Sequence, residues 1–285
     1  MRNFIQIFIS TSLLFISFSL FAQQKKNSSA INYGNNPAAG KYISTRGVKF
    51  YCEVYGKGQP LLLIHGNGGS LGNFKYQIPY FSKYYKVIGV DSRAQGKSTD
   101  YGDSLTYEMM ADDLNAVLDS LHVDSAFVIG WSDGGINGLL LALRHPEKVK
   151  KLAETGANLI PDTSVFDPAG NAFMDEALKD IRSRLPDKDA KNQFKLIHMM
   201  QIEPNIPSVS LRNIKCPVLV IGGDHDVILP FHTLEIFNNI NQGYLWILPK
   251  SGHATLQRYH DEFNKKVQDF FTHPYTRPHW DDWDK

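Results

Sequence analysis

Apolar runs typical of strands recur along the chain from about residue 41 onward, and amphipathic segments separate the later ones. We predict strands at Val48–Tyr55, Pro60–His65, Tyr85–Val90, Ala126–Gly130, Val149–Glu154, Pro217–Gly222 and Tyr244–Leu248. The spacing of apolar residues predicts helices at Tyr107–Leu121, Gly134–Arg144 and Tyr259–Phe271. Because strands that alternate with helices build a sheet covered on both faces, we expect an α/β fold with a mostly parallel sheet.

The segment from about residue 158 to residue 213 interrupts this alternation. It holds no convincing strand, but Ala172–Leu185 and Ala190–Gln201 are amphipathic. A connection of about 55 residues without secondary structure would be unusual inside a compact domain. We therefore predict a short helical cap inserted over the sheet, with a long surface connection as the alternative.

The first 22 residues have the pattern of a secretory signal peptide. Arg2 supplies a positive charge, an apolar run follows over Phe4–Phe21, and Ala22 precedes a polar stretch. The run is almost long enough for an uncleaved membrane anchor, but several Ser, Thr and Gln side chains dilute it. We therefore predict cleavage and export to the periplasm or the medium, with N-terminal anchoring as the alternative.

Three further divisions of the chain follow from its composition. Residues 23–40 are rich in Asn, Ser, Ala and Gly without apolar periodicity, which predicts a flexible leader outside the core. The catalytic domain is expected to span residues 41–272. Residues 273–285 form a C-terminal tail that mixes aromatic, Pro, Asp and His residues, and we predict no function for it.

Composition and charge narrow the class of ligand. A chain of 285 residues with 42% hydrophobic residues can bury one large core. A formal net charge of +1 does not favour nucleic acid or an anionic membrane as the main partner, so a small molecule fits better. The two cysteines, Cys52 and Cys216, lie at or beside predicted strands and are expected to be buried thiols.

The strongest chemical signal is the motif Gly130-Trp131-Ser132-Asp133-Gly134 at the junction of a strand and a helix. A serine at such a sharp turn projects its hydroxyl, and the flanking glycines let neighbouring backbone crowd the turn. The N-terminal amides of the helix can stabilise negative charge that develops during attack on a carbonyl. We therefore predict that Ser132 is a nucleophile, with a purely structural serine as the alternative.

A nucleophilic serine needs a base and an acid that orients the base. His253 follows a predicted strand, and the chain order Ser, acid, His is the one this type of fold uses. Asp224 and Asp226 both follow another strand. We predict Asp226 as the acid because it lies deeper in the loop, four residues before Pro230, which is expected in the first turn of the next helix; Asp224 is expected to accept hydrogen bonds from turn amides.

An oxyanion hole requires two donors. The backbone amide of Asp133 is one, and the loop His65-Gly66-Asn67-Gly68-Gly69 after an early strand offers the amide of Asn67 as the other. His65 itself is expected to brace the loop. In a later loop that starts at Asp91, we predict that Asp91 and Arg93 pair with each other or cap backbone groups, without a catalytic role.

With this set of residues in place, the chain resembles the α/β-hydrolase superfamily over nearly all of Lys41–Thr272. The stretches Gly130–Gly135, Gly156–Asn158 and Asp261–Lys265 are similar to the biphenyl-hydrolase-like group, which includes valacyclovir hydrolase. The resemblance implies an eight-stranded sheet and substrate binding by Asp133 and Trp131. In that group the aspartate after the nucleophile binds the α-ammonium of amino-acid esters; stabilisation by the helix N-terminus is the alternative role for Asp133. The shorter cap and the His65–Gly69 loop depart from the group.

We therefore expect a serine hydrolase that cleaves a small carboxylic ester through an acyl-enzyme on Ser132, without a metal or organic cofactor. An amidase or iminopeptidase, a lactonase and a carbon–carbon bond hydrolase could use the same triad. A serine at position 132 argues against relatives that use an aspartate nucleophile. A non-catalytic ligand-binding protein is a further alternative that the apparently intact triad disfavours.

Overall fold

The computed structural model describes residues 31–185 and 187–282, and within them eight strands form one sheet in the order β1-β2-β4-β3-β5-β6-β7-β8. Strands β1 and β2 pair antiparallel, as do β2 and β4, and all other neighbours are parallel. The predicted signal peptide, residues 1–22, lies outside the described residues. The strands are β1 (Gly40–Thr45), β2 (Val48–Tyr55), β3 (Pro60–Ile64), β4 (Lys86–Val90), β5 (Ala126–Trp131), β6 (Val149–Thr155), β7 (Val218–Gly223) and β8 (Gly243–Leu248).

The predicted mostly parallel sheet with helices on both faces is confirmed. Successive residues of β3 show the reason: Leu62 and Ile64 pack into one apolar cluster and Leu61 and Leu63 into the other, because side chains of a strand alternate between faces. The helices are α1 (Gln77–Phe81), α2 (Tyr107–Ser120), α3 (Asp133–Arg144), α4 (Pro168–Ser183), α5 (Lys188–Ile202), α6 (Pro230–Asn238), α7 (Thr255–Arg258) and α8 (His260–Thr272).

The predicted helical cap consists of α4 and α5. Each begins at an aspartate whose side chain caps the first turn: Asp167 accepts from the amide of Ala169 at 2.9 Å, and Asp187 accepts from that of Asp189 at 2.7 Å. Pro168 occupies the first helical position of α4, where its missing N–H costs nothing. Local sequence therefore determines where both cap helices start.

A buried ion-pair network, which we call the cap anchor, joins the cap to the core. Lys195 of α5 pairs with Asp100, which also accepts from Arg93 at 3.2 Å, and Arg93 is bound by Asp113 of α2 at 2.6 Å. These four side chains are almost completely buried. The predicted turn after β4 therefore helps to hold the cap on the core. Within it, Arg93 pairs with Asp100 and Asp113 and not with Asp91.

The prediction that residues 23–40 form a flexible leader is wrong for their last part. Glu53 of β2 is buried, and its carboxylate accepts hydrogen bonds from the amides of Gly34 at 2.9 Å and Asn36 at 2.8 Å. The ring of Tyr33 packs edge-on against that of Tyr55. The carboxylate of Glu53, in β2, holds this segment in place. The segment itself has no apolar periodicity, and for that reason its sequence predicted flexibility. Strand β1, which follows it, was also not predicted.

The C-terminal tail packs beside β8. The hydroxyl of Tyr244 donates to the carbonyl of Thr276 at 2.7 Å, and the rings of Tyr244 and Tyr275 lie 5.0 Å apart. Both cysteines are buried free thiols, as predicted. In the part of the chain that the structure describes, no helix has the length and apolar character needed to span a bilayer.

Candidate active site

Ser132 lies at a sharp turn between β5 and α3, as the motif predicts. Its backbone has φ 57° and ψ −122°, a strained conformation for a residue with a side chain. The amide of Ser132 donates to the carbonyl of Thr155 at 2.8 Å, which fixes the turn against β6. The flanking glycines are required by space: a Cβ on Gly130 would lie 2.1 Å from the carbonyl oxygen of Gly134, and one on Gly134 would lie 1.9 Å from that of Ile64.

His253 contacts Asp226, and not Asp224. The Nδ1 atom of His253 lies 2.7 Å from Oδ1 of Asp226, whose residue is 3% exposed. The carboxylate also accepts from the amides of Gly223 at 3.3 Å and Ile228 at 3.2 Å. This arrangement puts the proton of the neutral imidazole on Nδ1 and leaves Nε2 able to accept one.

Asp224 holds the loop that carries His253. Its carboxylate accepts from the amides of Lys250 at 2.9 Å and Ser251 at 3.0 Å. Hydrogen bonds from His225 and from these amides lower the pKa of Asp224 to about 2. Asp226 thus contacts His253 and Asp224 contacts the backbone of its loop, and the role of Asp226 as the catalytic acid stays a prediction.

Ser132 and His253 each contact residues at the end of β6. Gly156 directly follows Thr155, and a Cβ on Gly156 would lie 2.8 Å from Cε1 of His253. The indole N–H of Trp131 donates to the carbonyl of His253 at 2.9 Å, so the residue before Ser132 also binds the histidine loop. In this structure no hydrogen bond joins Ser132 Oγ to His253 among the described residues; such bonds are often long in a free enzyme and tighten when substrate binds.

The predicted oxyanion-hole residues lie beside Ser132. A Cβ on Gly66 would lie 3.0 Å from Cβ of Ser132 and 3.6 Å from its Oγ, so the loop after β3 passes directly over the serine. No described residue accepts a hydrogen bond from the backbone N–H of Asn67 or from that of Asp133. The second of these is the first amide of α3, where helices leave N–H groups free for other acceptors. Both donors are therefore available to a substrate oxygen.

The side chain of Asp133 is buried. Its Oδ2 accepts from the side-chain amide of Asn67 at 2.9 Å, and the hydroxyl of Tyr107 also interacts with it. Burial raises the pKa of Asp133 to about 6, although the hydrogen bonds from Asn67 and Tyr107 oppose this. The resemblance implies that Asp133 binds substrate, with stabilisation by the helix N-terminus as the alternative, and neither reading includes these two partners.

Glu154 is an acidic residue near the site that sequence reasoning assigned only to a strand. It lies within β6, is completely buried and accepts from the amide of Ala157 at 3.3 Å. Burial raises its pKa to about 8, and the negative charge of Asp226 contributes. Glu154 is therefore mostly protonated at pH 7. An acidic residue near the carboxyl end of a strand, directly after Leu152 and Ala153, is the signal that could have identified it.

His65 braces the loop after β3, as predicted. Its Nδ1 lies 2.7 Å from the carbonyl of Gly66, and its Nε2 accepts from the amide of Ser92 at 2.9 Å. Burial lowers the pKa of His65 to about 4, which keeps the ring neutral. Asp91 caps the same region by accepting from the amides of Leu71 and Lys97, both at 2.8 Å.

A cavity of about 380 Å³ lies between the loop that follows β4 and α5 of the cap. Gly68, next to Asn67, lines it as well. None of the predicted site residues lines this cavity or a larger hollow of about 530 Å³ at the turn between β1 and β2. Within residues 31–185 and 187–282, no cluster of three or more His, Cys, Asp or Glu side chains could hold a metal ion.

Comparisons with known proteins agree with this geometry. A family model described as the alpha/beta hydrolase fold matches residues 59–189. The chain is 26% identical to serine hydrolase BPHL of Homo sapiens over 266 residues, which cover 85% of this chain and 89% of that protein. It is also 26% identical to 2-hydroxymuconate semialdehyde hydrolase of Pseudomonas sp. (strain CF600) over 270 residues, 83% of this chain and 95% of that protein.

Among solved structures, the chain resembles the enol-lactonase from Burkholderia xenovorans LB400. The TM-score is 0.70 at 24% identity, and the match covers 82% of this chain and all of that one. At this identity the likeness concerns the fold alone. The names of these three proteins differ in the substrate that they specify: one names a semialdehyde, one names an enol-lactone and one names no substrate.

Proposed function

The chain belongs to the α/β-hydrolase superfamily, and from this membership we propose that it is a serine hydrolase that cleaves a small carboxylic ester through an acyl-enzyme on Ser132. One observation carries the proposal. The three predicted residues follow β5, β7 and β8, at the same edge of the sheet, with the His253–Asp226 hydrogen bond formed at 2.7 Å and Ser132 held at a strained turn.

The proposed reaction has two steps that share one histidine. Ser132 Oγ attacks the ester carbonyl carbon while His253 Nε2 takes its proton, and Asp226 stabilises the resulting imidazolium. The free amides of Asn67 and Asp133 bind the oxygen that becomes negative. The alcohol leaves with the proton from Nε2. A water molecule, deprotonated by the same nitrogen, then attacks the acyl-enzyme, and the carboxylic acid and free Ser132 are released.

A carbon–carbon bond hydrolase or a lactonase is the second candidate. It is favoured by the similarity to 2-hydroxymuconate semialdehyde hydrolase over most of the chain. An amidase would need the same triad and would differ only in its leaving group. A panel of aryl esters, lactones and vinylogous 1,5-diketones separates these activities, because each requires the cleavage of a different bond.

Covalent labelling tests the nucleophile before any natural substrate is known. We expect a fluorophosphonate probe to label the native protein once, on Ser132, because the phosphonyl group reacts far faster with an activated serine than with an ordinary hydroxyl. Intact-mass measurement followed by peptide mapping gives both the number and the position of the labels. The proposal is wrong if the native, folded protein remains unlabelled while a known serine hydrolase reacts in the same mixture.

The family resemblance leads to a separate prediction, which concerns the role of Asp133 in substrate selection. An ammonium that reached this carboxylate would gain a charge-assisted hydrogen bond, so aminoacyl esters would have a higher kcat/KM than matched esters without the α-amino group. Measuring kcat/KM for alanine and propanoate esters of the same alcohol checks this. Equal values for the two esters would exclude ammonium recognition.

Export remains a proposal that rests on residues 1–22. Fractionation of cells that express the full chain, with N-terminal sequencing of the product, tests it. We expect the mature protein outside the cytoplasm, without residues 1–22. An intact N-terminus in the membrane fraction would instead support anchoring.

A further inference from the structure

The side chains of Asp133 and Asn67 link the two halves of the predicted oxyanion hole. The side-chain amide of Asn67 donates to Oδ2 of Asp133 at 2.9 Å. Asn67 belongs to the loop after β3, whereas Asp133 begins α3, so 66 positions of sequence separate them. Because the backbone N–H groups of the same two residues are the free donors beside Ser132, the side-chain contact spans the site where a substrate oxygen would be held.

The surroundings of this contact favour a fixed geometry. Asp133 is 2% exposed, so little water competes for its carboxylate. Tyr107, itself buried at the start of α2, approaches the carboxylate with its hydroxyl. Hydrogen bonds to an ionised acceptor are roughly twice as strong as neutral ones. The Asn67–Asp133 contact is therefore a strong, shielded link between two separate chain segments.

The cap also touches this link. The side-chain amide of Asn67 makes a second, longer contact of 3.4 Å to the carbonyl of Leu196 in α5. One amide group thus bridges the cap helix and the carboxylate next to the nucleophile. Both partners hold the side chain of Asn67 in place. The contact with Asp133 is the shorter of the two, and its acceptor is charged.

We propose that Asp133 is a positioning residue whose carboxylate, through the side chain of Asn67, aims the two oxyanion-hole amides at one oxygen atom; this inference rests on the serine hydrolase function proposed above. The physical reason is preorganisation. Donors stabilise the transition state only when they already point to where charge develops. A displacement of about 1 Å in such a group can cost about a hundredfold in rate.

This role differs from ammonium binding in what it predicts for substrates. A positioning carboxylate affects every ester equally, because it acts on the carbonyl oxygen that all esters share. An ammonium-binding carboxylate affects only esters that carry an α-amino group. The two roles for Asp133 are therefore separable by experiment.

The test compares Asn67→Ala, Asp133→Asn and the double variant on 4-nitrophenyl acetate and on its thiono analogue, in which sulfur replaces the carbonyl oxygen. We expect kcat for the oxygen ester to fall by about tenfold to a hundredfold in each single variant with KM little changed. The thiono ester should lose far less, since sulfur is a weak hydrogen-bond acceptor. The double variant should be no worse than Asn67→Ala, because Asn67→Ala removes the link, whereas Asp133→Asn keeps an acceptor oxygen and removes only the charge that strengthens the link.

Asn239→Ala is the matched control, since Asn239 is also half-buried and donates its side-chain amide to one backbone carbonyl, that of Glu235. We expect the control to leave the ratio of oxygen-ester to thiono-ester rates at its native value. Thermal unfolding of every variant identifies a variant that fails to fold. If Asp133→Asn does so, Asn67→Ala, which removes a half-buried side chain and keeps the backbone donor, decides the question alone.

The proposal is overturned if the variants lose both esters equally, if they keep native rates, or if Asp133→Asn is impaired only on aminoacyl esters. A fluorophosphonate could still label Ser132 normally in a protein that gives any of these results. The proposed function would then stand although the positioning role had failed. Absence of both labelling and ester cleavage in the native protein would instead contradict the proposed function itself.

Discussion

Replacing Ser132 by alanine is expected to lower kcat for an ester substrate by about a million-fold, to the level that binding and the oxyanion hole support alone. Without Oγ no acyl-enzyme forms, and His253 has no proton to accept. The fold should survive, because the change removes one half-buried oxygen atom that makes no hydrogen bond to His253. Steady-state kinetics with an aryl ester, together with thermal unfolding, measure both effects.

Ser120→Ala is the control for this experiment. Ser120 is exposed at the end of α2, and its hydroxyl donates only to the carbonyl of Ala116. This variant should keep native turnover and native labelling by a fluorophosphonate. Ester hydrolysis that persists in Ser132→Ala above one part in a thousand would show that another group is the nucleophile.

Asp226→Asn is expected to lower kcat by about ten-thousandfold. The asparagine amide would present an N–H group to Nδ1 of His253, which favours the tautomer with its proton on Nε2. That tautomer cannot accept the proton of Ser132. The amide of Gly223 binds the other oxygen, Oδ2, and keeps its acceptor, whereas the amide of Ile228 shares Oδ1 with His253 and loses its acceptor, so thermal unfolding should show a modest loss of stability.

Asp224→Asn provides the comparison, because it makes the same chemical change two residues away. Asp224 binds the amides of Lys250 and Ser251 and does not contact His253. We expect the Asp224→Asn change to lower kcat by no more than about tenfold. Any other effect should be a lower thermal stability, because Asp224 holds the loop. A larger loss in Asp224→Asn than in Asp226→Asn would reverse the assignment of the two aspartates.

Much of the fold is predictable because parallel strands are buried on both faces. In β3 and β7 nearly every residue is apolar, which makes these strands visible as continuous runs. The Ser132 turn is predictable for a different reason. A Cβ at Gly130 or Gly134 would lie about 2 Å from a backbone oxygen, so only glycine fits at these two positions. The spacing of the glycines in the sequence therefore reports the geometry of the turn.

Other features depend on contacts between residues far apart in sequence. Glu53 fixes the segment around Gly34, and nothing in the local composition of that segment indicates a partner in β2. The same holds for Asp133, whose contact with Asn67 arises only when the loop after β3 and the start of α3 come together. Periodicity reports how each element buries its own face, and it contains no information about such pairings.

The cap anchor has a consequence for how substrate range can change in this protein. Attractions between buried ions are little affected by dissolved salt, and removing one member of a buried pair typically costs about 3–5 kcal/mol. These four residues therefore hold one point of α5 against the core, whereas the ion pair that Lys191 of the same helix forms with Asp103 is exposed and weak. Asn192 and Gln193 of α5 line the cavity and belong to none of these ion pairs, so new side chains at those two positions can reshape the cavity while the cap anchor stays intact.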